Sequence, residues 1–191
     1  MVETFNFIIT STGKISSNFL SRNIPDFVNA MAFIKQIPYA RNKNKYDLAS
    51  VFIDNCGTCG TKHALLKELA IENSQPQVKL ILCLFKMNKH NTPVISEILS
   101  KNNLDYILEV HSYLKIGSQV LDCTFPNSKS LLFIDDIISE TEIESHQITD
   151  FKVNFHKKYL GQWLDNQSSL SIPFQELWQI REACIEKLSS Q

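Results

Sequence analysis

Cys59, His111 and Asp122 are the residues whose types and spacing point to chemistry. Cys59 follows the turn Cys56-Gly-Thr and stands at the start of an apolar, helix-forming segment. A thiolate is the reactive form of cysteine, and the exposed N–H groups of a helix N-terminus lower a thiol's pKa. Gly57 and Gly60 permit close approach at that turn, where backbone N–H groups also suit an oxyanion. The plainer reading is a buried cysteine serving as a small apolar side chain. His111 and Asp122 lie on either side of Gly117-Ser118, a pair that suits a two-residue type II′ hairpin turn. Such a turn pairs Tyr113 with Asp122 and His111 with Thr124, so His111 and Asp122 become diagonal neighbours on one face. Their Cβ atoms then lie roughly 7–8 Å apart or less. A carboxylate so placed holds one imidazole nitrogen and leaves the other for a thiol. A hydrogen-bonded structural histidine is the simpler alternative.

Cys56-Gly-Thr-Cys59 also reads as a C-x-x-C of a thiol–disulfide exchanger. That reading leaves the His111/Asp122 register accidental and expects a strand–helix–strand unit upstream, where only one weak strand and one helix are suggested. A zinc site needs two further ligands, and Cys83, Cys123 and His63 lack the spacing, so no metal or cofactor is expected. His63, four residues after Cys59, suits a packing or supporting role. Arg41, Lys43 and Lys45 alternate with Asn42 and Asn44, as a solvated loop or as a rim that recognises an acidic substrate or peptide. Trp163 and Trp178 fit either core positions or the wall of a groove.

The elements around these residues read as α+β. A short strand is expected over residues 5–10. A helix opened by Pro25, with Phe27, Met31 and Ile34 on one face, should stop near Ile37 because Pro38 follows. Residues 61–72 read as a helix and 78–85 as a buried strand, and Thr92-Pro93 opens a further helix. Strands are expected over 107–116, 119–124 and 131–138, then helices over 150–164 and from Pro173 onward. Cys123 should face away from Asp122.

The chain has 191 residues, which fits one domain, with a core at about 37–138 and a C-terminal helical extension at about 149–191. Nineteen Lys+Arg against twenty Asp+Glu give a net charge of −1, which excludes binding to nucleic acid or an acidic membrane by bulk charge. Hydrophobic residues at 43% exclude disorder throughout. No apolar run approaches the ~18 residues of a membrane span, and the first residues lack a signal peptide's pattern. Five cysteines, an odd number set among apolar residues, read as free thiols in a reducing compartment. A cytoplasmic location is the expectation.

Gly57-Thr-Cys-Gly-Thr-Lys-His-Ala-Leu-Leu, Glu109-Val-His-Ser-Tyr-Leu-Lys-Ile and Leu121-Asp-Cys-Thr-Phe-Pro together resemble the transglutaminase-like superfamily, in a bacterial-type form. The likeness covers about residues 37–126 and implies a papain-like, cysteine-proteinase-like fold: a helix carrying the nucleophile packed on a central antiparallel sheet. It implies Cys59 as nucleophile, His111 as general base and acid, and Asp122 as the residue that orients the imidazole. The upstream loop offers Tyr39, Asn42 and Arg41 as oxyanion donors or substrate rim. Gly60 stands where many animal transglutaminases carry an aromatic residue. The implied activity is hydrolysis or acyl transfer through a thioester, on a peptide, protein or small amide or thioester. Some members of the superfamily have lost catalysis, so a binding module is the alternative. Neither nucleic acid nor membrane is an expected partner, and oligomeric state is left open.

Overall fold

The computed structural model describes residues 5–126, 132–167 and 170–190. Its centre is a four-stranded antiparallel sheet in the order β3-β2-β1-β4, formed by β1 (Lys79–Asn88), β2 (Tyr106–Ile116), β3 (Gln119–Leu121) and β4 (Ile137–Ile143). The fold is α+β. Residues 80–85 of β1 are buried without alternation, the pattern of a strand covered on both faces. It pairs with β2 so that Cys83 lies opposite His111.

Gly117 turns the chain between β2 and β3. It adopts φ 58° while Ser118 keeps a negative φ, the signature of a type II′ turn. The pairs Ile116–Gln119, Lys115–Val120 and Leu114–Leu121 follow, which is the register expected from the sequence. No atom lies within 4 Å of a Cβ built on Gly117, so its replacement acts through backbone strain alone. Gly117→Ala is expected to lower stability by about 1 kcal/mol in urea denaturation and to leave the Cys59 environment unchanged. The second strand is shorter than the expected 119–124. The Asp122 carboxylate accepts the Thr124 N–H (2.8 Å), a local turn that competes with the ladder and ends β3 at Leu121.

Seven α-helices are described: α1 (Lys14–Leu20), α2 (Phe27–Gln36), α3 (Ser50–Asp54), α4 (Cys59–Glu72), α5 (Ser96–Lys101), α6 (Asp150–Asp165) and α7 (Phe174–Ser189). Thr58 caps α4 by a reciprocal exchange with Thr61. Helices α1, α2 and α3 pack on α4, as do β1 and β2. Enclosure on all sides explains why two lysines of α4 are buried. Lys67 Nζ donates to the Val78 carbonyl (2.7 Å), while Lys62 Nζ donates to the carbonyls of Thr124 (2.8 Å) and Ile37. Lys62 thereby ties the segment before α3 and the end of the hairpin to the helix that carries Cys59.

Several expectations are corrected. Residues 5–10 form no strand but a single bridge at Ile8–Asp26, because Phe5 and Phe7 pack on Phe27. Pro25 does not open α2, which starts two residues later at Phe27 with Asp26 as its cap, accepting the Asn29 N–H (2.9 Å). The fourth strand runs over Ile137–Ile143 instead of 131–138. Residues 134–136 make a 3-10 turn whose Asp136 carboxylate accepts both Asn88 and Asn91 side-chain amides, and residues 127–131 lie outside the described residues. Helices α1 and α3 have too few turns to show periodicity. The C-terminal helices follow the expected pattern, but α6 packs directly on β2, so the extension belongs to the walls of the central region. Among the described residues, no helix is long and apolar enough to cross a membrane.

Candidate active site

Cys59 is the first residue of α4, buried at 6% exposure. Because β3 ends early, β2 leaves an unpaired edge near its middle, and the Ser112 N–H there favours the Cys59 thiolate. His111, the preceding residue, borders the same cleft as Cys59, and each favours the charged form of the other. Its Nε2 is bonded to Asp122 Oδ2 at 2.9 Å, which leaves Nδ1 as the nitrogen for Cys59. The three residues thus come together, with Asp122 held in place by its own bond to the Thr124 N–H.

His63 completes the frame without touching the sulfur. Its Nε2 accepts the Cys123 N–H (2.7 Å), so Nδ1 carries the proton and donates to the Cys59 carbonyl (2.7 Å). Burial lowers its pKa to about 4, outweighing the Asp122 carboxylate 3.5 Å away, and keeps the ring neutral. A neutral bridge therefore joins the first turn of α4 to the end of the hairpin.

A lysine that the spacing of motifs did not reveal lies at the sulfur. Lys152 Nζ of α6 is 3.3 Å from Cys59 Sγ and 3.0 Å from Ser112 Oγ. Burial pushes the Cys59 thiol up, but the Lys152 and His111 cations and the Ser112 N–H more than offset this and bring it down to about 6. Burial alone would depress His111; the Asp122 carboxylate and the Cys59 thiolate hold it well above the ordinary histidine value. Thiolate and imidazolium stabilise each other, a pair that titrates as a unit.

Of the three upstream residues, Tyr39 lines both clefts that Cys59 borders. It bridges to Gly57, rests on the Phe125 ring (5.1 Å) and has its hydroxyl pKa raised by burial and by Cys59. Asn42 is spent on structure, its Nδ2 donating to the Cys56 carbonyl (2.8 Å). Arg41 pairs with Glu182 of α7 (2.6 Å) at the rim. Cys56 turns from the site, its thiol directed at the Arg41 carbonyl. Burial raises its pKa, and it pushes Cys83, Cys123 and Cys184 up to about 12.

Two clefts meet at Cys59. One, of 530 Å³, runs from Cys59 and His111 past Phe85, Phe133 and Phe125 to Ile185 and Leu188 of α7, and is predominantly apolar. The other, of 340 Å³, lies between the Arg41 loop, α6 and α7, and holds Lys152, Trp178 and Arg181. Trp178 therefore lines a cleft, whereas Trp163 packs on Tyr106 and donates its indole N–H to the Tyr106 hydroxyl (3.0 Å). Below both, buried Glu109 of β2 accepts two bonds from Arg181 of α7, at 2.6 and 2.7 Å, which fixes α7 across the site. Among the described residues, no group of three His, Cys, Asp or Glu side chains is placed to hold a metal ion. Comparison of the chain with family models, curated proteins and solved structures finds no match.

Proposed function

We propose that this protein is a cysteine-dependent acyl-group enzyme, a hydrolase or transferase acting on an amide or thioester, with a transglutaminase-like arrangement. The observation that carries this reading is the 2.9 Å bond from His111 Nε2 to Asp122, with Cys59 at a helix N-terminus on the other side of the ring. The Cys59 thiolate attacks the carbonyl carbon, and the pair of electrons shifts to the carbonyl oxygen. Helix N-terminal N–H groups and the Tyr39 hydroxyl, which borders the same clefts, are the candidate donors for that oxygen. As the intermediate collapses, His111 gives its proton to the departing amine or thiol, leaving a thioester on Cys59. Neutral His111 then takes a proton from water or an acceptor amine, which attacks the thioester and expels the thiolate. Asp122 keeps the ring oriented and stabilises its cationic form in both halves. The apolar cleft beside His111 suits an uncharged, apolar group next to the reacting carbonyl. The direction of the Cys56 thiol weighs against disulfide exchange with Cys59.

Iodoacetamide labelling against pH, with the site assigned by mass spectrometry, tests this reading. Near neutral pH Cys59 should label at least tenfold faster than Cys56, Cys83, Cys123 and Cys184, because only its thiol is shifted down. Incubation with p-nitrophenyl acetate should place an acetyl group on Cys59, and His111→Ala should abolish it. An unreactive Cys59 would identify a binding module, and a Cys56–Cys59 disulfide forming under mild oxidation would restore the redox reading.

A further inference from the structure

Lys152 differs from the other cations around its cleft. Arg41 pairs with Glu182, Lys45 with Asp150 and Arg181 with Glu109, each within 3.0 Å. The polar partners of Lys152 among the described residues are the Cys59 sulfur and the Ser112 hydroxyl. Its path to the sulfur crosses residue 60. A Cβ built on Gly60 would lie 3.6 Å from Lys152 Nζ and 3.5 Å from the Ile148 side chain. A methyl group is accommodated there in ordinary contact, whereas a side chain as bulky as leucine has to compete with Lys152, Ile148 and Thr58 for the same space. Gly60 and Lys152, which lies 93 positions after Cys59, are therefore two halves of one feature.

We propose that Lys152 is a further catalytic residue, a second cation on the Cys59 sulfur, and that Gly60 is the opening through which it reaches. The proposal rests on the acyl-transfer reading and adds a division of labour to it. His111 has a proton to move, and its charge disappears when that proton goes to the leaving group. Lys152 has no such task, so its charge remains at the sulfur when the thiolate must leave the thioester in the second half of the reaction. Stabilising the thiolate there makes it a better leaving group. The other groups facing the sulfur do not supply this charge. Glu109 of β2, which lines the same clefts, Tyr39 of the upstream loop and Cys83 of β1 are acidic or neutral, His63 is held neutral by burial, and Lys62, on the same helix, donates to two backbone carbonyls.

The test is the pH profile of Cys59 alkylation in the full chain, read for wild type, Lys152→Met, His111→Ala and the double variant. Lys152→Met should move the inflection upward by about one pH unit and slow labelling on the acid side about tenfold. The double variant should titrate at or above ~8.5, the value of a free thiol. Gly60→Leu should reproduce the Lys152→Met profile with Lys152 still present, and Lys152→Gln gives a second, polar replacement in case the methionine variant folds poorly. An acidic wild-type inflection that Lys152→Met and Lys152→Gln both leave in place would overturn the role of Lys152 and spare the acyl-transfer reading. An ordinary thiol inflection in wild type would overturn both.

Discussion

Asp122→Asn is expected to slow Cys59 labelling and acyl-enzyme formation at neutral pH about tenfold while the protein stays folded, since a thiol raised from about 6 by about two units keeps roughly a tenth of its thiolate there. An opposite charge within bonding distance shifts a titrating group by about 1–3 units, and each unit is tenfold in the population of the charged form. Asparagine keeps an oxygen for the Thr124 N–H, so the turn that ends β3 survives. It presents an amide N–H to His111 Nε2, where the carboxylate accepted at 2.9 Å. Nε2 must then become an acceptor, which favours the neutral ring with its proton on Nδ1 and removes the support of the imidazolium. The neighbouring cation then no longer holds the thiol down. Asp105→Asn, on an exposed residue before β2, serves as the control and should leave labelling unchanged. Circular dichroism and thermal unfolding establish that the variant is folded. A folded Asp122→Asn protein that labels at the wild-type rate would show that the His111–Asp122 bond has no part in activating the thiol.

The largest expected loss of stability follows from Arg181→Met, about 3–5 kcal/mol in urea denaturation. Removing one partner of a buried pair leaves the other charge without compensation. Here the orphan is Glu109, 5% exposed, which accepts both Arg181 bonds. Burial pushes the Glu109 carboxyl up, but Arg181 and His156 more than offset it and bring the pKa down to about 2. A carboxylate depressed in this way contributes stability above its unfolded pKa of about 4.5, and that contribution disappears as the pH falls toward 2. Wild type should therefore lose stability through this window. In Arg181→Met only His156 and Lys152 are left to oppose burial, which raises the carboxyl, so acidification toward pH 5 should narrow the difference from wild type. Glu109→Leu combined with Arg181→Met should recover most of the loss by removing both charges. A single variant as stable as wild type would mean that the pair adds nothing to the docking of α7.

Local chemistry in the chain was enough for the hairpin and for the start of the nucleophile helix. Gly117 is suited to the positive φ of a type II′ turn, and strict alternation from that turn brings Asp122 within reach of His111. The turn Cys56-Gly-Thr ahead of an apolar run makes a helix start near Cys59 legible, and the Thr58–Thr61 capping exchange sets that start at Cys59 rather than at 61. The edge strand Ile137–Ile143 departs from the expected 131–138 because its exposed glutamates give a weak apolar signal, and its position depends on pairing with β1. Asn42 looked free as part of a polar loop, and its engagement with the Cys56 carbonyl depends on a backbone 14 residues away.

Lys152 shows the limit most clearly. In its helix it stands near Lys157 and Lys158, which are exposed, and nothing in residue type or spacing separates the three. Packing of α6 on β2 makes the distinction by carrying one ammonium over Gly60 to the sulfur. Turns, caps and strand alternation act between residues a few positions apart, so they can be read along the chain. The electrostatic environment of Cys59 depends on charges that come within 4 Å only when separate elements pack, and its proton affinity is therefore a property of the assembled fold.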